Sequence, residues 1–408
     1  MSGTATRIPD GSLLAQVRSR LAEDTRSDLT TALGQARRAA GLLADDAVLA
    51  RWDIDLAAQL TGAGPLEPLL ALDGVTDVLV NGPDAVFVDR GGDLERVEVG
   101  FASAAEVRAL ACRLAVAAGR RLDDAQPFVD AHLPDGTRLH AIIPPLAEQP
   151  TISLRVLARR RVRMADLVAG GAVPAHVAEV LSAAVQARLA LLISGGTGTG
   201  KTTVLGALLS QVPPDQRIVV VEDAAELVTD HPHVVRLLAR SANVEGAGAV
   251  GLRELVRQAL RMRPDRVVVG EFRGAEVVEL LAALNTGHAG GGATVHANGI
   301  VDVPARLEAL GALGGLDRAA LTAQAAAGLE VLIHLDRDGN RRRLAAIGWL
   351  ERAGPDLAVR QVWSVEGGIG DGAPVLAAAL RSRDVAVPQL LDDRYRLSRP
   401  PVMTGSVQ

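Results

Sequence analysis

Hydrophobic and polar positions alternate with different periods along the chain. Leu13, Leu14, Val17 and Leu21 recur at helical spacing, as do Leu29, Leu33, Leu43 and the stretch from Ile54 to Leu60, with charged residues between them. This pattern predicts a helical appendage over residues 1–60. Glycine and proline break it at 62–65. Short apolar runs at 77–81, 85–89 and 94–99 follow, separated by Gly-Pro-Asp and Arg-Gly-Gly-Asp turns, and read as strands. A helix over 104–118 and strands at 128–132, 137–143 and 151–156 complete an expected α+β domain over 61–158.

The basic run Arg159-Arg160-Arg161-Val162-Arg163 leads through Gly170, Gly171 and Pro174, and predicts a solvated linker over 159–174. From there helices alternate with apolar strands at 190–194, 217–222, 266–270, 293–296 and 330–334, the pattern of an α/β domain over 175–350. A hairpin turn at 336–340 joins the last of these to strands at 344–349 and 358–363. A short helix at 374–380 belongs to a C-terminal segment, 351–408, whose tail is expected to be disordered after Pro400.

The strand at 190–194 runs into Gly195-Gly196-Thr197-Gly198-Thr199-Gly200-Lys201-Thr202-Thr203, and a helical pattern resumes at 203–209. A G-x-x-x-x-G-K-T string between a strand and a helix is a phosphate-binding loop. Its glycines let backbone amides converge on phosphate oxygens, and the helix N-terminus adds a positive dipole end. Lys201 reaches β- and γ-phosphates, the Thr202 hydroxyl ligates Mg²⁺, and Thr203 is a further phosphate contact. The implied ligand is therefore a nucleotide such as ATP with its Mg²⁺.

Three clusters narrow the reaction. Val220-Val221-Glu222-Asp223-Ala224-Ala225-Glu226 ends an apolar strand in carboxylates, so Glu222, Asp223 and Glu226 are candidates for positioning metal or water, Asp223 as a metal ligand. The same residues have the form of a helix capping box, Asp223 with Glu226 three residues on. A second strand, 266–270, delivers Glu271 at its C-terminal end, where a P-loop hydrolase places the residue that orients or deprotonates water. Position 270 is glycine, so the usual aspartate of that strand is missing. The third cluster, Asn285 to Asn298, sets His288 and His296 around a glycine-rich segment, and a histidine ending a strand there can report on the γ-phosphate. His231 and His233 flank Pro232 without a nearby cysteine, and a metal site is not expected from them.

Composition removes several alternatives. A formal net charge of −5 and 2% aromatic residues argue against a nucleic-acid binder. No stretch approaches the roughly 18 apolar residues of a membrane span, and the N-terminus lacks the apolar core of a secretory signal. The single cysteine, Cys112, fits a reducing cytoplasm and reads as a small apolar side chain on a helix.

The four clusters in this order resemble the secretion-superfamily ATPases, the motors of type II and type IV secretion and of type IV pili. The marks are Gly270 in place of an aspartate, the acidic box at Glu222 to Glu226 and the histidine box at Asn285 to Asn298. Within that superfamily the chain is most similar to the CpaF/TadA-type ATPases of tight-adherence pili. Asp230-His231-Pro232-His233-Val234-Val235-Arg236-Leu237 looks like their actinobacterial branch. Upstream, Gly64-Pro65-Leu66, Val80-Asn81-Gly82, Gly119-Arg120-Arg121-Leu122-Asp123 and the stretch from Leu133 to His140 look like the family's N-terminal domain. The chain departs from the pattern at Ala289, usually acidic, and at Phe272, often a smaller aliphatic.

The resemblance implies a RecA-like P-loop NTPase core preceded by the α+β domain, working as a homo-oligomeric ring of six. ATP would lie between the two domains, with Arg138 and Arg155 reaching its phosphates; Arg236, Arg240, Arg261 and Arg263 are further candidates for that work. It also implies Mg²⁺-dependent ATP hydrolysis at the inner face of the cytoplasmic membrane, in contact with platform proteins of a pilus or secretion system. Nucleic acid is not an expected partner. The alternatives are a RecA-fold nucleic-acid motor and a nucleotide-binding adaptor without turnover.

Overall fold

The computed structural model describes residues 62–91, 94–156, 161–240, 247–339 and 341–392. The predicted appendage at 1–60 and the tail after Pro400 lie outside these residues. The chain divides into two compact units, Met1–Leu157 and Ala158–Gln408.

The first unit is a six-stranded sheet in the order β3-β2-β1-β6-β5-β4. Its strands are β1 (Asp77–Val80), β2 (Val86–Asp89), β3 (Leu94–Val97), β4 (Phe128–His132), β5 (Arg138–Ile142) and β6 (Thr151–Arg155). Helix α1 (Ala104–Ala117) presents Val107, Leu110, Ala111, Leu114 and Ala115 as one buried stripe, at the spacing of a helix face. That stripe shares a core with Val78, Val80, Leu139, Ala141, Ile152 and Leu154, alternate residues of β1, β5 and β6. Ser103 caps α1, its hydroxyl accepting the Glu106 amide at 3.3 Å. Cys112 lies half-buried on this helix and donates its thiol hydrogen to Leu122 O at 3.2 Å.

The second unit is built on a nine-stranded sheet ordered β15-β14-β13-β12-β7-β11-β10-β8-β9. Six strands run parallel: β7 (Leu191–Gly195), β8 (Ile218–Glu222), β9 (Val234–Leu238), β10 (Arg266–Phe272), β11 (Gly292–Val295) and β12 (Val331–Asp338). β13 (Arg341–Ala353), β14 (Asp356–Ser364) and β15 (Gly368–Ile369) extend it antiparallel. The boundary expected at residue 350 thus falls inside a strand, because the β12–β13 hairpin carries sheet pairing straight through it.

Alternate residues of the central strands enter two separate cores. Leu191, Ile193, Val220, Val268 and Ile333 face one side with helices α3 (Ala175–Gln186), α4 (Lys201–Leu209) and α9 (Ala373–Arg381). Leu192, Val219, Val221, Val267, Val269, Ala293 and Leu332 face the other with α5 (Leu252–Ala259), α6 (Glu276–Leu284), α7 (Val303–Leu313) and α8 (Arg318–Gly328). Burial on both faces explains why these strands read as unbroken apolar runs in the sequence. Phe272 is fully buried in the second core. The predicted linker holds a short helix, α2 (Met164–Ala169). Its Arg161 and Arg163 are solvated and also donate to Asp230, at 2.9 Å for Arg161 Nη1 and 3.2 Å for Arg163 Nε.

Candidate nucleotide site

The C-terminal ends of the parallel strands bring the sequence clusters to one edge of the second unit. β7 ends at Gly195, the loop crosses Gly196, Thr197 and Gly198 in the open, and α4 begins at Lys201. Two glycines are required by geometry. A Cβ on Gly195 would fall 2.4 Å from Leu335 O, and Gly200 takes φ +92 to enter the helix. Thr199 is buried and its hydroxyl donates to Gly196 O at 3.0 Å, bracing the loop from within. Thr202 and Thr203 lie half-buried in the first turn of α4, beside its free amides.

Lys201 is buried to 7% exposure, and Nζ donates to Gly195 O at 3.0 Å and Gly196 O at 2.8 Å. Nζ also lies 3.4 Å from His296 Nδ1, while His296 Nε2 lies 3.0 Å from Glu271 Oε1. Lysine donating to Nδ1 and Nε2 donating to the carboxylate describe a neutral imidazole. Burial, and next the Lys201 charge, pull the His296 pKa below its usual value, in agreement. Burial likewise lowers Lys201, opposed by Glu271 and Glu226. Glu271 Oε2 accepts from Arg273 Nη2 at 3.2 Å, and Arg273 Nη1 lies 3.8 Å from Asp223 Oδ2. Lys201, Glu271 and His296 therefore form one cluster, with Glu226 and Asp223 at its margin.

Glu271 reaches His296 because β10 is irregular where it matters. Val269 pairs with Ala293 and Phe272 with Val295, so Gly270 and Glu271 together face Thr294 alone. Such a bulge re-aims the side chain it carries. The buried Thr294 hydroxyl donates to Gly270 O at 2.6 Å and pins it. Nothing in the sequence distinguished Thr294 from any other strand threonine.

Gly270 has a second cause. One position beyond the Val221–Val269 rung, Glu222 lies beside it, and a Cβ on Gly270 would fall 2.8 Å from Glu222 Cγ. The buried Glu222 stem occupies the room that an aspartate at 270 would need. Its Oε1 accepts the Leu227 amide at 2.7 Å and its Oε2 accepts Arg236 Nε at 3.0 Å, yet burial dominates and raises its pKa to about 7. The helix implied by a capping box at Asp223 and Glu226 does not form. Residues 223–233 are irregular, because Glu222 turns the chain by holding Leu227. This acidic segment lies against α4, where a Cβ on Gly206 would fall 2.1 Å from Val228 O.

Other candidates are engaged otherwise. Arg138 and Arg155 belong to the first unit, where Arg138 holds Asp130 through Nε at 3.0 Å and Nη2 at 2.8 Å, and Arg155 Nε holds Asp77 at 2.9 Å. Arg240 Nε donates to Gly248 O at 2.9 Å. His231 uses both ring nitrogens within the protein, Nδ1 accepting the His233 amide and Nε2 donating to Pro213 O. Ala289 is exposed. Sequence reading also passed over His334, buried on β12, whose Nδ1 lies 2.9 Å from Ser194 Oγ, and over Arg266. That arginine is 1% exposed and donates to Gln216 Oε1 at 2.9 Å, Gly290 O at 3.1 Å and Val185 O at 2.9 Å.

Among solved structures, the pilus retraction motor PilT with bound ADP aligns over 71% of this chain and 83% of its own, with a TM-score of 0.51 and 19% identity. The Legionella pneumophila ATPase DotB aligns over 70% and 79%, with a TM-score of 0.51 and 20% identity. These likenesses establish the RecA-like secretion-ATPase fold. In sequence, a Mycobacterium tuberculosis H37Rv protein named for conjugal transfer is 57% identical over 350 residues, 84% of this chain and 99% of that protein. The conjugal transfer protein TrbB of Rhizobium radiobacter is 30% identical over 288 residues, 69% of this chain and 86% of its own. The family described as "Type II/IV secretion system protein" matches residues 59–337. Across more than half its length, and through every strand that carries the site, the chain belongs to the type II/IV secretion system protein family.

Proposed function

We propose that this protein is a Mg²⁺-dependent ATPase that powers assembly of a tight-adherence or type IV-like pilus, or a protein secretion machine. It would work as a ring of six copies at the cytoplasmic face of the membrane, against inner-membrane platform proteins. The observation that carries the reading is the run of contacts from Lys201 through His296 to Glu271, beside a complete phosphate loop. Lys201 binds the β- and γ-phosphates in exchange for the Gly195 and Gly196 carbonyls. Glu271 takes the proton of the attacking water, and His296, already donating through Nε2, holds that carboxylate in place and senses the γ-phosphate. Thr202 and Asp223 offer the oxygen donors that would hold a Mg²⁺ ion, which would supply charge neutralisation at the phosphates. Glu226 adds its charge to that of Glu271 at Lys201, while Glu222 shapes the acidic segment by holding Leu227. Arg138 and Arg155, each presented on a strand and holding a carboxylate, are the family's candidates to exchange it for phosphate.

The test is phosphate release per subunit with Mg²⁺-ATP across a protein-concentration series, with Glu271→Gln as the blank. A specific rate that climbs with concentration and vanishes in the variant is expected. A variant that turns over at the wild-type rate removes Glu271 as the base. A second reading, a motor acting directly on nucleic acid, draws on the relatives named for conjugal transfer. Turnover that rises several-fold with added DNA would favour it. Tight ATP binding without phosphate release in the assembled ring would point instead to an adaptor.

A further inference from the structure

The hairpin joining β12 to β13 passes beside the phosphate loop. A Cβ on Gly198 would lie 3.8 Å from Arg337 Nη1, and one on Gly200 would lie 3.6 Å from Arg342 Cδ. Arg337 and Arg342 are directly opposed in the β12–β13 ladder, as are Asp336 with Arg343 and Asp338 with Arg341. Strand side chains alternate between faces, so the hairpin sorts its charges by face. On one face two aspartates balance two arginines, with Arg343 at 3.2 Å from Asp336 and 3.1 Å from Asp338. On the other face Arg337 and Arg342, both exposed, set like charge against like charge. Two guanidiniums side by side at the edge of the loop can bond the oxygens of one phosphate group in pairs.

We propose that Arg337 and Arg342 form a clamp for the part of the nucleotide that is not transferred, its α- and β-phosphates. The topology sets that division. β12 flanks β7 on one side, whereas β11 and β10, which deliver His296 and Glu271, lie on the other. The γ-phosphate belongs with His296 and Glu271, which leaves the hairpin side to the diphosphate. Arginine suits this work because its planar fork bonds phosphate oxygens in pairs. The clamp rests on the nucleotide reading above, so its test separates the two.

The experiment is titration of fluorescent ADP and ATP analogues into the full chain, wild type and the double variant Arg337→Gln/Arg342→Gln. Affinity for both nucleotides is expected to fall by the same factor, at least about tenfold. The charge-retaining Arg337→Lys/Arg342→Lys variant should recover part of the affinity. Equal affinities in wild type and both variants would overturn the clamp, as would a loss confined to ATP, which would place the arginines at the γ-phosphate. If the glutamine variant melts well below wild type, the lysine variant decides. No recovery of affinity in a lysine variant with a wild-type melting curve overturns the clamp. Wild type that binds neither nucleotide would instead sink the ATPase reading.

Discussion

Strand β10 carries a charged side chain at each end, and the two ends are treated oppositely. At its start Arg266 is buried among three neutral oxygens from Gln216, Gly290 and Val185, each bonded by a different nitrogen. Burial, with Arg188 nearby, lowers its pKa only to about 10, so it stays charged at neutral pH. At its end Glu271 is half-buried and held by two side chains, His296 and Arg273. Two of the three Arg266 acceptors are backbone carbonyls that cannot turn away, whereas both Glu271 partners are side chains. One end of the strand is locked into the fold, and the other is held by groups that can rotate.

That contrast breaks most visibly in a pair of substitutions. Arg266→Met strands the Gly290 and Val185 carbonyls and is expected to lower unfolding stability by about 3 to 5 kcal/mol in urea titration, on the scale of two buried carbonyls left unbonded. Glu271→Gln is expected to do the reverse, leaving the urea midpoint in place while phosphate release falls by about 10² to 10⁴.

A smaller effect follows from Glu222. Its folded pKa, about 7, stands above the 4.5 of an exposed glutamate. Its contribution to stability is complete below 4.5 and is lost as pH rises through 7. Measured against Glu222→Gln, which stays neutral, wild type should lose about 3 kcal/mol between those values and change little beyond them. A difference that does not vary with pH would show that folding leaves the pKa of this carboxylate unshifted. Smallest in stability is Thr294→Val, which leaves Gly270 O unbonded at the bulge. About 1 to 2 kcal/mol is expected in urea, with kcat down at least about tenfold at unchanged KM because Glu271 is re-aimed. Unchanged kcat would mean that the bulge holds without its pin.

Much of this was legible in the sequence because it was written in spacing. The parallel strands announce themselves as apolar runs, and the phosphate loop, Glu222, Glu271 and His296 each sit where such a run ends. What escaped was written in pairs of distant residues. Gly270 looked like a missing aspartate until Glu222 was seen filling the space from the next strand. Thr294 and Arg266 act through backbone carbonyls, which have no letter in a sequence. The hairpin arginines sort by register, which is fixed only when β12 and β13 pair. The capping box at Asp223 and Glu226 misled because local form was outweighed by one long-range constraint, the buried Glu222 carboxylate.

The absence of a side chain at Gly206 lets two stretches of backbone meet. With Val228 O only 2.1 Å from where a methyl group would stand, α4 and the acidic segment are seated backbone on backbone. One residue before Val228, Leu227 donates its amide to Glu222. Gly206 and Leu227 thus join the helix that follows the phosphate loop, by direct contact, to a carboxylate on another strand. A methyl group at position 206 would have to push these two backbones apart, and with them the chain that holds Glu222.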